Sequence, residues 1–123
     1  MTNLEIGKKL VELCHQRKHQ EAMDTLYGKD VVSVEAAPLP HLPAESRGFD
    51  AVNAKLRWWA DNHTIHSLAI DGPYPHGGDR FAVRFLYDVT NKPSNTRFEM
   101  DEIAVFTVDG DKIVREEFFY VTG

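Results

Sequence analysis

From His63 onward the chain reads as strand after strand, and that run limits what the preceding half can be. Ile65–Ile70, Phe81–Val89, Arg97–Val108 and Ile113–Val121 are rich in β-branched and aromatic residues, which suit a pleated surface. Turn chemistry separates them: Asp71-Gly72-Pro73, His76-Gly77-Gly78-Asp79, Asn91-Lys92-Pro93-Ser94-Asn95 and Asp109-Gly110-Asp111. Asp-Gly between alternating runs predicts a hairpin, because the tight turn needs residues that tolerate positive φ. Strict alternation puts Phe81, Val83, Phe85, Tyr87 and Val89 on one face, against Arg80, Arg84 and Asp88. A sheet with an apolar face needs a covering layer, which the first half of the chain must supply.

That half has helical periodicity. Thr2-Asn3-Leu4-Glu5 has the spacing of a capping box, and Leu4, Gly7, Val11 and Cys14, flanked by Ile6, Leu10 and Leu13, form an apolar arc. These predict a helix over residues 3–17. A shorter helix over 19–27 carries Ala22, Met23, Leu26 and Tyr27 on one side, with Gly28 as its stop. Val31–Ala36 then reads as a strand, and Pro38–Arg47, with three prolines, as an irregular crossing loop. Gly48 opens the third helix, with Phe49, Val52, Leu56 and Trp59 as its buried stripe. Asp50, Lys55, Arg57 and Asp61 are expected mostly outside, and Trp58 half covered. The order is ααβαββββ, an α+β domain occupying residues 1–123, its last three strands a meander.

Composition excludes several classes. A chain of 123 residues buries about two-thirds of its unfolded surface, so it needs no disulfide or metal staple. No apolar run approaches the roughly 18 residues of a membrane helix. Met1–Glu5 has neither the basic nor the apolar region of a secretory signal, and Cys14 is the lone cysteine, so a cytoplasmic setting is expected. The net charge of −5 argues against nucleic acid. No phosphate-binding glycine loop, Gly-x-Ser-x-Gly elbow or paired cysteine motif is present. His15 with His19, and His63 with His66, lack further donors at ligand spacing, so no metal and no other cofactor is expected.

Three stretches carry a resemblance: Ala22–Glu35, with Tyr27-Gly28-Lys29-Asp30 before the Val-rich strand; Arg47-Gly48-Phe49-Asp50-Ala51-Val52; and Val108-Asp109-Gly110-Asp111-Lys112-Ile113. With the element order, they make the chain similar to the nuclear transport factor 2-like superfamily, and to its SnoaL-like polyketide cyclase group in particular. The resemblance implies a cone: a bent mixed sheet wrapped around three helices from the N-terminal half, with an apolar pocket for a small hydrophobic molecule. Relatives include ketosteroid isomerases, polyketide cyclases, scytalone dehydratase and epoxide hydrolases, and also members that bind without catalysing. Fold alone does not choose among them.

The same resemblance singles out carboxylates. Glu35 aligns with the aspartate that shuttles the proton in ketosteroid isomerases, although glutamate is one methylene longer; the alternative is an acidic residue at a strand end, turned to water near Pro38. The isomerase tyrosine aligns with Val11, which has no donor. Glu102 is the second candidate. If Phe106 faces inward, so do Phe98, Met100, Glu102 and Ala104, and Glu102 falls near the position of a protonated oxyanion donor. With the faces reversed, Ile103 and Val105 are inside and Glu102 pairs with Arg84 or Arg115 across the sheet. Tyr87 is a further donor if it points inward, as is Tyr120. Trp59, Phe85, Phe98 and Phe118 are expected as pocket lining, with Tyr120, and His41 at the pocket rim. His66, on the strand face of Leu68 and Ile70, reads as structural. Val114, Phe118 and Tyr120 share one face of the last strand, and Ile113, Phe119 and Val121 the other. The second face would be bare in a monomer, which predicts a homodimer through the outer sheet face.

Overall fold

The computed structural model describes residues 1–40 and 42–121. Among them the order is α1 (Asn3–His15), α2 (His19–Leu26), β1 (Tyr27–Val34), β2 (Glu45–Arg47), α3 (Phe49–Asn62), β3 (His63–His76), β4 (Arg80–Asn91), β5 (Thr96–Asp109) and β6 (Lys112–Phe119). The expected order is there, with β2 added inside the proline-rich stretch. Its three residues follow the last proline, so each has an N–H to offer, and they pair antiparallel with Val32–Val34. The sheet runs β2-β1-β6-β5-β4-β3 and is open. β1 lies parallel to β6, and every other pair is antiparallel. All four long strands, not only the last three, form the meander.

Local chemistry explains the helix ends. Thr2 and Glu5 form the reciprocal capping box at the start of α1. Gly48 precedes α3 at φ 89°, a conformation costly for other residues. Gly28 is not a helix stop. Tyr27 is already extended and pairs with Ile113, so the parallel ladder takes over the chain one residue earlier.

The helices cover the inner sheet face. Ile6, Leu10 and Leu13 of α1 and Ala22, Met23 and Leu26 of α2 are buried against Val31, Phe81, Val83, Ala104, Phe106 and Ile113. Phe81 and Phe106 pair directly across β4 and β5, and their rings stack at 4.9 Å. Each contributes about 1.5–3 kcal/mol by burial. α1 comes so close to the sheet that a Cβ on Gly7 would lie 2.8 Å from Pro73 Cβ.

Three strand pairs break the regular register; besides the β1–β6 ladder, irregular between Tyr27 and Val32, β6 and β3 each gain an extra residue opposite their antiparallel partner. In β6 the partners run Thr107↔Arg115 and then Val108↔Ile113, which leaves Val114 as an extra residue. A one-residue bulge reverses the faces beyond it. Ile113 is therefore fully buried, not outside with Phe119, and shares the inner face with Glu116 and Phe118. In β3 the partners run Ile65↔Val89 and then Ser67↔Asp88, so His66 is the extra residue and is exposed, off the face of Leu68 and Ile70. β3 also continues to His76 through Asp71-Gly72-Pro73, where an interruption of its ladder takes the place of the expected turn.

On the outer face Ile103 and Phe119 sit opposite each other and are 39% and 52% exposed.

Candidate functional site

Between the sheet and the helices lies a cavity of about 350 Å³, with walls from all three helices and from β1, β3, β4, β5 and β6. Most of its lining is aromatic or aliphatic. Trp59 of α3 stacks on His63 at 4.5 Å and tilts against Tyr87 at 5.2 Å. Tyr87 stacks on Phe85. Phe98 and Phe118 complete the aromatic wall. His41 lies outside the described residues.

Four carboxyl and amine side chains enter this apolar space. Glu35 follows β1, fixed by its N–H donating to Ala44 O at 2.8 Å. Its side chain is 11% exposed, and both oxygens are engaged. Lys55 Nζ lies 2.7 Å from Oε2, and Tyr120 donates its hydroxyl to Oε1 at 2.9 Å. Lys55 comes from α3, with its ammonium over the Phe118 ring at 5.1 Å. It also donates to Ser33 Oγ, which in turn donates to Glu116 Oε2 at 2.9 Å. A buried chain thus links Tyr120, Glu35, Lys55, Ser33 and Glu116.

Glu102 stands apart from that chain. It is inward with Ala104 and Phe106, which leaves Ile103 outside. It pairs with neither Arg84 nor Arg115: Arg84 holds Asp101 and Arg115 holds Glu117. Burial pushes the Glu102 carboxyl up to about 8, the Glu35 and Glu116 charges push the same way, and Lys55 opposes them. Burial also raises Glu116, against the pull of Lys55 and of the hydroxyls of Tyr27 and Ser33. Tyr87 and Tyr120 are held above the ordinary tyrosine range, chiefly by burial. Burial carries the Cys14 thiol to about 12, which makes it inert as a nucleophile.

The arrangement brings Glu35, Glu102, Tyr87, Trp59, Phe85, Phe98, Phe118 and Tyr120 to one cavity. Three members of the buried hydrogen-bonded chain are not among the candidates the sequence offers: Lys55, Ser33 and Glu116. Lys55 was expected outside, yet it lies three residues after Val52 and four before Trp59, within the buried stripe. That spacing was the available signal. For the other two the signal was period-2 alternation: Glu116 lies two residues before Phe118, on the face expected to line the pocket, and Ser33 two residues after the buried Val31. Among the described residues no group of three or more His, Cys, Asp or Glu could hold a metal, and no helix is long and apolar enough to cross a membrane.

A family model described as SnoaL-like domain matches residues 1–120. A structure from Mesorhizobium loti, described as a candidate SnoaL-like polyketide cyclase, is 40% identical, with a TM-score of 0.90 over 98% of this chain and 100% of that one. A candidate isomerase from Bacillus subtilis shares 12% identity, with a TM-score of 0.81 over 98% of this chain and 90% of that one. A nuclear transport factor 2-like protein of unknown function from Burkholderia pseudomallei shares 20%, with a TM-score of 0.73 over 97% and 90%. The last two likenesses speak for the fold alone. No curated protein matches the chain by sequence.

Proposed function

Because this chain belongs to the SnoaL-like domain family, we propose that its cavity takes a small hydrophobic carbonyl compound and moves a proton on it without a cofactor. The reaction class is isomerisation, aldol-type cyclisation or dehydration. Glu35 is the base, Glu102 the neutral acid that donates to the developing oxyanion, and Tyr87 a second donor on the same wall. One observation carries the reading: two carboxyls border one apolar cavity in opposite settings. Glu35 is matched by an ammonium, whereas Glu102 has no cationic or hydrogen-bonding partner among the described residues and keeps its proton up to about 8. A carboxylate held by a cation, across the same cavity from a carboxyl that keeps its proton, is what acid–base chemistry at neutral pH requires. Val11 provides no donor where the isomerases use tyrosine, so that duty falls to Glu102.

The test is exchange of α-protons. Cyclic ketones and β,γ-unsaturated ketones are incubated with the protein in deuterated buffer and followed by proton NMR. Exchange above the buffer rate, cut about 100-fold or more by Glu35→Gln and by Glu102→Gln, is the expected result. Binding without exchange would leave only the second reading, a ligand-binding or dimerisation module. That reading is favoured by the engagement of both Glu35 oxygens. The exposed pair Ile103 and Phe119 supports a homodimer through the outer sheet face. The inert, buried Cys14 suits a cytoplasmic setting.

A further inference from the structure

The chain has seven lysines. Six are exposed, and Lys55 alone is buried, 7% exposed, with its side chain on the cavity wall. Taking an ammonium out of water costs several kcal/mol unless it is paired, and a lysine at this position has no need to be inside for α3 to form. Its surroundings meet the two demands on a reactive amine. The first is an acceptor for the ammonium proton, which Glu35 provides directly at 2.7 Å, with Glu116 behind it through Ser33. The second is a low-dielectric face toward the reactant, which Phe118 and the aromatic cavity provide.

We propose that Lys55 is a nucleophile that condenses with an aldehyde or ketone seated in the cavity to form an iminium adduct. The proposal rests on reading the cavity as a carbonyl site and adds covalent amine chemistry to it. The ammonium passes one proton to Glu35. The free amine adds to the carbonyl carbon, whose π electrons move to oxygen, and one N–H proton then transfers to that oxygen. The proton held by Glu35 returns to the hydroxyl, which leaves as water as the nitrogen lone pair closes the C=N bond. Glu35 is a carboxylate again, beside an iminium that acidifies the adjacent C–H. Its second proton transfer is then the α-deprotonation proposed above. Tyr120, held on Oε1, positions the carboxylate throughout.

Reductive trapping tests this. The full chain is incubated with cyclohexanone, acetophenone or benzaldehyde and sodium cyanoborohydride at neutral pH. The reagent delivers hydride to the iminium carbon and leaves a stable secondary amine, located by mass spectrometry of peptides. Occupancy is read in parallel from the fluorescence of Trp58 and Trp59, the only two tryptophans, both on the cavity wall. Lys55 is expected to carry adduct at least about 10-fold above any of the six exposed lysines. Lys55→Arg, which keeps the charge but cannot condense, is expected to lose that adduct and leave the other six unchanged. A probe that alters tryptophan emission yet modifies Lys55 no more than the surface lysines overturns the nucleophile and spares carbonyl binding. If no probe alters the emission, both readings fall. The wild-type ratio decides the matter even where the variant does not fold.

Discussion

Replacing Glu102 with glutamine should make the protein more stable, and only at high pH. Glutamine keeps the shape of the side chain but cannot lose a proton. In the folded protein burial holds the Glu102 carboxyl protonated up to about 8, against 4.5 for an ordinary glutamate. The folded state therefore binds a proton that the unfolded chain has released across that window. Unfolding releases it, so wild-type stability falls as pH rises from 4.5 through 8. Nothing is lost below 4.5, and the loss is complete above 8. At 1.36 kcal/mol for each tenfold change in proton affinity, the interval corresponds to about 5 kcal/mol at most. Water reaching the carboxyl through the cavity reduces this, so about 2–4 kcal/mol is expected at pH 9. The assay is urea denaturation of Glu102→Gln and wild type at pH 5 and pH 9. Groups that titrate alike in both proteins cancel in the difference. The two should agree within about 0.5 kcal/mol at pH 5, and the variant should lead at pH 9. A carbon-13 titration of the wild type should show one glutamate midpoint near 8 that the variant lacks. A stability difference that does not change between the two pH values would refute the reasoning, because it would mean that Glu102 ionises as freely inside as outside.

Lys55→Met strands the buried Glu35 carboxylate and should cost about 3–5 kcal/mol, while Lys55→Met with Glu35→Gln should recover at least half of that. Denaturation of the single and double variants gives the coupling, and equal losses in both would deny that the pair is an electrostatic unit. Gly7→Ala should destabilise by about 1–3 kcal/mol despite the usual helix preference for alanine of about 1 kcal/mol, because the added methyl meets the rigid Pro73 ring at 2.8 Å. A higher melting temperature would show that α1 can move off the sheet. Phe119→Lys puts a charge beside Ile103 on the outer face and should turn a micromolar dimer into a monomer by sedimentation; a wild type already monomeric there removes the dimer altogether.

The fold was legible because its signals agree at several levels. The capping box at Thr2, the glycine at position 48 and the alternation of Phe81–Val89 each name an element, and the elements fit only a few arrangements. The site was legible in part. Glu102 could be assigned to the Phe106 face conditionally, and the burial of Ala104 against the exposure of Ile103 decides between the faces. Lys55 has a charge that argues for the surface and a spacing from Val52 and Trp59 that puts it in the stripe, and in the fold the spacing wins. The inward turn of Ile113 lay beyond any such pattern. Period-2 alternation assumes an unbroken ladder, and neither Val114 nor His66 carries a glycine or proline to announce the extra residue.

The unpaired residue at Val114 marks the one place where β6 tolerates a change of length. Its neighbours Ile113 and Arg115 already face consecutive partners, Val108 and Thr107, so deleting it closes the ladder without turning Glu116 or Phe118 away from the cavity. Between Arg115 and Phe119 the pairing is unbroken, and there the loss of a single residue would send Glu116 and Phe118 to opposite faces. The polar chemistry of this chain is thus written partly in segment length, forgiving at one codon and strict over the next few.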